Sequence, residues 1–457
     1  MRKGILVTLL STLLVLAVVL GACTQTPTTT QTSTSTAPLK VLKIGTTQPM
    51  NSPGGLQGKK WFDLYAKMVN DAGGWKIGND TYKLQIIVYD DQAVVTKAED
   101  NIRTLVLQDG CKFIIGGQTN QAAVDIPITE PAHVMVIGSD LTNSSADPNV
   151  QYYYTTGNFF NSALVYKICK DMVAAGVKSY VSVKPDIEMG HFIDPIIDAA
   201  WQIASGGSVK KLGTVFVDPT TVDFGPVATK VMSYHPDCAD LIYLGMIANS
   251  VPNIYRALAD VGFKGIILPG TASTQDVANL VTTVGKDFIE GGEVFSQDPT
   301  GYQTDPRMLS IINAYIQQYG QLETNYTAAL NGMFLLEDAI NATQSVDVDT
   351  IKTYLDHIDH PIRQLLGWEM LFARPDLNNL RTICGGYDHP IQKISNGQLV
   401  NFSQVTMKEQ YLFTIISNNM VDTYKAYWEQ YGYPNFPADE EAANTLHFTD
   451  LGITGHD

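Results

Sequence analysis

Val41 to Thr47 (VLKIGTT), followed at once by Gln48 to Gly55 (QPMNSPGG), decides how this chain is read. A short apolar strand that runs into a Pro/Gly-rich turn and then into apolar residues at helical spacing opens a β-α-β unit. A helix is predicted over Gly58 to Ala72, with Trp61, Leu64, Tyr65, Met68 and Val69 on one face and Gly73-Gly74 as its stop. Leu84 to Tyr89 (LQIIVY) is the next strand, ahead of Asp90-Asp91-Gln92. Val94 to Asp109 is an amphipathic helix that presents Ala98, Ile102, Leu105 and Val106 together. Phe113 to Ile115 is a third strand, ending in Gly116-Gly117; a helix follows Thr119, and Val134 to Ile137 is a fourth strand. Strands that are apolar throughout, alternating with helices, argue for a parallel sheet covered on both faces.

The rhythm restarts further along. Helices are predicted over Asn158 to Gly176, Gly190 to Ala204, Val222 to Tyr234 and Val251 to Val261. Strands are predicted over Tyr180 to Val183, Leu212 to Val217, Asp240 to Leu244 and Gly265 to Leu268, the last closing the series. Each unit is roughly a hundred residues, within the usual range for a domain. Pro306 to Tyr319, Thr327 to Thr343 and Val348 to Ile358 return to helix. Leu399 to Tyr411 and the last stretch of the chain are Asn-, Asp- and aromatic-rich and less regular, and read as loops laid on the second unit.

The start of the chain is of another kind. Arg2 and Lys3 precede an apolar run from Ile5 to Leu20, which closes on Leu20-Gly21-Ala22-Cys23. A charged segment, an apolar segment and small residues before a cleavage point make a secretory signal. A cysteine directly after Gly-Ala resembles a bacterial lipobox, whose thiol carries the lipid. The apolar run is shorter than the roughly 20 residues that span a bilayer, which disfavours an uncleaved anchor. Residues 1–22 are expected to be a lipoprotein signal peptide, Cys23 the lipidated residue, and residues 23–39, rich in threonine, a flexible tether. The expected location is outside the cytoplasm, on the bacterial cell membrane.

The chain carries a formal charge of −16, which becomes −18 once Arg2 and Lys3 are lost, and this argues against nucleic acid as a partner. Cys111, Cys169, Cys238 and Cys384 are widely spaced without a C-x-x-C pair, which disfavours zinc and leaves disulfides or small buried thiols open. There is no P-loop, G-x-G-x-x-G or G-x-S-x-G, so catalysis is not expected, and no cofactor or metal is. His357-Ile358-Asp359-His360 is the best metal-like cluster and reads better as a solvated helix end, for want of a third ligand.

In doubly wound sheets ligands bind beyond the carboxyl ends of strands. Those ends are Gln48 to Ser52, Asp90-Asp91, Gly116 to Asn120 and Ser139 to Thr142 in the first unit. In the second they are Lys184 to Met189, Gly245 to Ala248 and Pro269 to Thr271. Backbone N–H groups and hydroxyls there suit a carboxylate or another small polar group. Plain helix capping explains each loop taken singly; their convergence on one edge points to a site.

The order of several short pieces carries a resemblance. They are Ile44-Gly45 with Gly54-Gly55, Asn70-Asp71-Ala72-Gly73-Gly74, Val88-Tyr89-Asp90-Asp91, Leu107-Gln108-Asp109-Gly110 through Ile114-Ile115-Gly116-Gly117, and Leu141-Thr142-Asn143. Asp223-Phe224, Asp240 to Gly245, Ala257-Leu258 and Gly262 continue it. The chain resembles a type I periplasmic binding protein of the branched-chain amino acid transporter group, over about Val41 to Ile358. That resemblance implies an α/β fold of two Rossmann-like lobes with parallel sheets, joined by three hinge crossovers near Gly157-Asn158, Ser296-Gln297 and Cys384 to Tyr387. It implies a first lobe of residues 40–157 and 297–385 and a second of 158–296 and 386–457. It further implies a monomeric solute receptor serving the permease of an ABC importer, or, as an alternative, a ligand-sensing lipoprotein acting with a membrane receptor.

The family's ligand positions fall on Gln118, Thr119, Asn120, Leu141 and Thr142 in the first lobe, and on Met189, Met246 and Gly270 in the second. Relatives that bind amino acids carry an acidic acceptor for the α-ammonium where this chain has Pro269-Gly270-Thr271. Asp140 and Glu188 are candidate substitutes, neither at the place the family motif gives. The resemblance, with this departure from it, therefore implies a small polar organic solute that is a carboxylate, an amide or amino-acid-like, with no obligatory ammonium.

Overall fold

The structure is a computed structural model. It describes residues 39–405 except 119–120, 140–148, 159–160, 235–238, 246–249, 297–304, 324–325, 359, 361, 366–368, 371–380 and 384–388. The expected signal peptide, Cys23, Cys238, Cys384 and the residues beyond 405 lie outside the described residues.

Strand β1 (Leu39–Gln48) is exposed at its first residues and buried from Ile44 onward. Helix α1 (Pro53–Asp71) starts directly after it: Ser52 Oγ accepts the Gly55 N–H at 3.0 Å, and Pro53 supplies a preset φ in the first turn. The sequence suggests a turn at residues 53–55. They form the first helical turn instead, because Gly55 lets the helix press against the Pro49 carbonyl, where a Cβ would lie 2.2 Å from the oxygen. A hairpin of β2 (Trp75–Ile77) and β3 (Asp80–Asp90) follows, then α2 (Val95–Leu107), β4 (Phe113–Ile115), α3 (Gln121–Thr129), β5 (Met135–Gly138) and β6 (Tyr153–Asn158).

The chain continues through α4 (Asn161–Ala174), β7 (Ser179–Pro185), α5 (Glu188–Ser205), β8 (Lys210–Val217), α6 (Gly225–Met232), β9 (Leu241–Leu244) and α7 (Val251–Asp260). Next come β10 (Ile266–Leu268), β11 (Gly270–Ala272), α8 (Thr274–Val284) and β12 (Glu293–Ser296). Helices α9 (Pro306–Tyr319), α10 (Asn331–Thr343) and α11 (Val348–Leu355) precede β13 (Ile362–Arg363), β14 (Glu369–Met370) and β15 (Thr382–Ile383). The hairpin of β16 (His389–Ser395) and β17 (Gln398–Val405) closes the described chain.

Two sheet systems result. In the first, the order is β15-β6-β5-β4-β1-β3-β2, parallel throughout except for β2 against β3. In the second, β10-β9-β7-β8 is parallel. A further ladder, β11-β12-β16-β17, runs parallel between β11 and β12 and antiparallel thereafter. Strands β10 and β11 are separated only by Pro269, which has no N–H for a ladder, so the two ladders are successive lengths of one ribbon.

The chain passes between the two systems after β6, after β12 and after β15. Helix α10 lies close on the first sheet: a Cβ on Gly332 would sit 2.6 Å from Ile115 Cγ2. Trp61 of α1 stacks on Tyr315 of α9 with ring centroids 3.8 Å apart. This is the α/β, two-lobed type I periplasmic-binding-protein architecture expected from sequence.

Several elements differ from expectation. Residues 153–158 form strand β6 where a helix is expected from Asn158, and α4 begins only at Asn161. The second lobe does not close at Leu268 but adds β11, α8 and β12. Leu399 to Val405 is a regular strand paired with β16, not a loop. Cys111 and Cys169 are free, buried thiols. His357 Nδ1 donates to the Thr353 carbonyl (2.8 Å) while His360 turns to Asp338 (3.3 Å), so the two imidazoles serve different partners.

Candidate ligand-binding site

Leaving out the hairpin strand β2, the parallel strands of the first sheet run, in order of appearance, 2-1-3-4-5-6. The chain direction of winding therefore reverses between β1 and β4, and the crevice at their carboxyl ends is where such sheets bind ligands. Gln48, Thr47 and Asp91 there are polar and buried, while Gln118 is exposed. Gln48, with no exposed surface, donates from Nε2 to Thr46 Oγ1 at 2.9 Å and accepts at Oε1 from Gln118 Nε2 at 3.1 Å. Thr47 Oγ1 donates to Asp91 at 3.0 Å, and Asp91 Oδ1 in turn accepts the Ala93 N–H at 2.8 Å, so that this carboxylate is committed to the turn before α2.

Strand β4 leaves the sheet through Gly116 and Gly117, with φ of +68° and +131°. Positive φ at two successive residues turns their amides out of the ladder, and only glycine takes such angles without strain. Tyr326 reaches into this turn from the segment after α9. Its hydroxyl donates to the Gly117 carbonyl at 2.9 Å, receives the Gly117 N–H at 3.3 Å, and stands 3.3 Å from Ser139 Oγ. Ser139 Oγ donates to the same carbonyl at 3.0 Å, and its N–H donates to Gln121 Oε1 at 3.1 Å. Gly58 of α1 makes room, since a Cβ there would sit 2.9 Å from Tyr326 Cδ1. The result is a cluster of amide, hydroxyl and backbone groups at one sheet edge.

In the second lobe the parallel strands run 2-1-3-4, with the reversal between β7 and β9. Lys184 stands there, 1% exposed, with Nζ 2.6 Å from Asp194 and 5.8 Å from the centre of the Tyr243 ring. Burial pushes its proton affinity down to about 8 in spite of the carboxylate. Burial alone would raise Asp194, but Lys184 and Lys211 outweigh it and hold its carboxyl below the ordinary value. At the exposed rim His191 Nε2 meets Asp186 at 2.7 Å and stacks on Phe216 with centroids 4.0 Å apart.

Of the residues expected from sequence, Gln118 joins the Gln48 cluster. Met189 is half-buried in the first turn of α5. Gly270 opens β11 with φ +78°, close enough to β9 that a Cβ would lie 3.0 Å from the Leu244 carbonyl oxygen. Thr119, Asn120, Asp140, Leu141, Thr142 and Met246 lie outside the described residues. Sequence reasoning missed Tyr326, which sits in no strand-end loop, and gave no separate weight to Gln48 or Ser139 within the loops that contain them.

The sequence model of the periplasmic binding protein family matches residues 41–376. This chain belongs to that family. Periplasmic binding proteins of solved structure share its fold. One is the ABC-transporter solute-binding protein of Rhodopseudomonas palustris BisB5 in complex with 3,4-dihydroxybenzoic acid. It is 18% identical, with a TM-score of 0.62 over 80% of this chain and 98% of that one. Another is a leucine-binding protein of Thermotoga maritima MSB8, 18% identical, with a TM-score of 0.61 over 80% of this chain and 99% of that one. A third is a leucine-, isoleucine-, valine-, threonine- and alanine-binding protein of Brucella ovis in a closed conformation. It is 15% identical, with a TM-score of 0.62 over 81% and 96%. For this periplasmic binding protein the family implies an extracytoplasmic place of work and a solute-binding role. Among the described residues no helix is long and apolar enough to cross a membrane.

Proposed function

We propose that this periplasmic binding protein captures a small polar organic solute bearing a carboxylate or amide, and hands it to the permease of an ABC importer. The observation that carries this reading is the uncharged cluster of Gln48, Gln118, Gly117, Ser139 and Tyr326 at the winding reversal of the first sheet. Such groups grip oxygen and nitrogen of a solute by hydrogen bonds without demanding a particular charge. Thr119, Asn120, Leu141 and Thr142 would extend the grip in the loops after β4 and β5, with Asp140 beside them. Met189, Met246 and Gly270 would line the opposite wall. Solved relatives with this fold hold 4-hydroxybenzoate or benzoate, and another holds leucine; each of these solutes carries a carboxylate, which supports the reading.

In this reading the lobes, divided as 40–157 with 297–385 and 158–296 with 386–457, swing about the three crossovers and enclose the solute. The closed form is selected because the solute binds it better than the open one. Cys23 would hold the protein by lipid beside its permease, on the tether of residues 23–39 up to the start of β1 at Leu39, as a monomer. No bond of the solute is made or broken.

Native mass spectrometry of freshly purified protein would reveal a retained solute. A thermal-shift panel of benzoate, 4-hydroxybenzoate, 3,4-dihydroxybenzoate, short amides and leucine then tests the class. Solute at about 100 times its dissociation constant should add about 2.7 kcal/mol of stability. Tight binding of leucine with no response to a carboxylate lacking an ammonium overturns the proposal.

A further inference from the structure

Glu293 opens β12, the strand from which the chain leaves the second lobe, and its side chain is fully buried. Neither carboxylate oxygen receives a hydrogen bond among the described residues. Its cross-strand partner is Lys393 of β16, whose Nζ stands 3.5 Å from Oε1. Helix α4 packs over β12, β16 and β17 and brings Lys167, Cys169 and Asp171 to the same place. Asp171 is tied to Lys167 at 2.5 Å and accepts from Ser403 Oγ of β17 at 3.2 Å, so the Lys167 charge is already shared. The other neighbour of β12 is β11, whose Gly270, Thr271 and Ala272 do not ionise.

Glu293 is the first residue of β12, and its charged neighbours Lys167, Asp171 and Lys393 lie within α4 and β16, so the three elements meet at this carboxylate. A buried carboxylate facing one incompletely engaged lysine and another carboxylate is costly to ionise. Burial first, and then the Asp171 charge, lift its proton affinity from the ordinary 4.5 to about 7, against the pull of Lys393 and Lys167.

We propose that Glu293 is a proton-operated latch between β12, β16 and α4, closed when protonated and loosened when ionised. The seat of α4 on β12 and β16 then responds to the pH of the surroundings near neutrality. The sign follows from linkage. The unfolded chain gives up this proton near 4.5 and the native one near 7, so the native state holds the extra proton between them. The contribution of Glu293 is fully present below 4.5 and is lost as pH rises through about 7. The gap corresponds to at most about a 300-fold change in the folding equilibrium.

The test is a set of melting curves of the full chain from pH 5 to pH 8.5, for the native protein and Glu293→Gln, which keeps the shape and cannot ionise. The native protein is expected to lose melting temperature across that range relative to the variant, and the variant to be the more stable above pH 7. Parallel profiles overturn the proposal. Should the variant fail to fold, infrared titration of the native protein decides. A carboxylic-acid carbonyl band that persists at pH 6 and fades by pH 8, with faster amide exchange in residues 161–174 and 389–405 as it fades, is the supporting result. Absence of the band at pH 6, or unchanged exchange in those segments, overturns the proposal. Neither measurement involves the solute, so the outcome is independent of the ligand reading.

Discussion

Tyr326 and Gly117, 209 residues apart in the chain, exchange two hydrogen bonds: the phenol donates to the carbonyl at 2.9 Å and accepts from the amide at 3.3 Å. A turn made of two positive-φ glycines has no side chain of its own to hold it, and the tyrosine supplies the missing partner. Tyr326→Phe removes both bonds and the contact with Ser139 while leaving the ring packed against Gly58. It should cost about 1–2 kcal/mol in urea unfolding. In the proposed function it should also weaken whatever solute the purified protein retains, seen as earlier loss of that solute in native mass spectrometry.

Lys184 and Asp194 form a buried pair, with Lys211 also on the carboxylate at 2.8 Å. Asp194→Asn leaves the ammonium of Lys184 enclosed without its ion-pair partner, the more distant Asp198 being its remaining counter-charge, and should cost about 3 kcal/mol. Combining Lys184→Met with Asp194→Leu should recover most of that loss, which a double-mutant cycle by chemical denaturation would show. The pH dependence has a definite sign. The native lysine gives up its proton near 8 and the unfolded one near 10.5, so stability from this residue rises with pH across that window.

Gly55→Ala tests the entry into α1. A methyl group there would meet the Pro49 carbonyl at 2.2 Å, and backbone cannot rotate away as a side chain can. A loss of about 2 kcal/mol or more is expected, read as a lowered urea midpoint with an unchanged slope. Gly73→Ala, where the space is open but φ is +107°, should cost less.

Arg381 ties three elements together through Asp356, which it meets at 2.8 Å, with Tyr154 and Lys352 on the same carboxylate at 2.6 Å each. Burial would raise Asp356, but the hydrogen bonds from Arg381, Lys352 and Tyr154 outweigh it and hold the carboxyl below its ordinary value. Its stabilising contribution is present above the ordinary carboxylate range and lost as pH falls through the native value. Arg381→Met should therefore move the acid-unfolding midpoint, followed by circular dichroism, to higher pH.

Much of the architecture is legible in the sequence because its central strands are apolar at every position. Phe113 to Ile115 and Met135 to Ile137 face a core on each side, and a run of that kind has few other interpretations. Strand β6 is hidden for the opposite reason. Its Thr155 and Thr156 are buried hydroxyls in a segment, YYTTGN, that shows neither an apolar run nor alternation. Strand β12 is obscured by Glu293, a charged residue where a core position belongs. In the site, Gln118 can be found because it follows a double glycine at a strand end. Tyr326 cannot, since only the return of α9 to the first lobe brings it there, and no local pattern marks a residue delivered by topology.

The way the two sheets are finished bears on how the chain is made. Strand β6 waits for β15, with Thr155 opposite Thr382, and β12 waits for β16, with Glu293 opposite Lys393. A nascent polypeptide that has emerged as far as residue 381 therefore still offers two unfilled strand edges, one in each half. Pairings so distant along the chain form slowly, and open edges invite the wrong neighbour. Maturation thus hinges on the last of the described strands to be synthesised, and a truncation before residue 389 should yield a sticky, unfinished product rather than a smaller receptor.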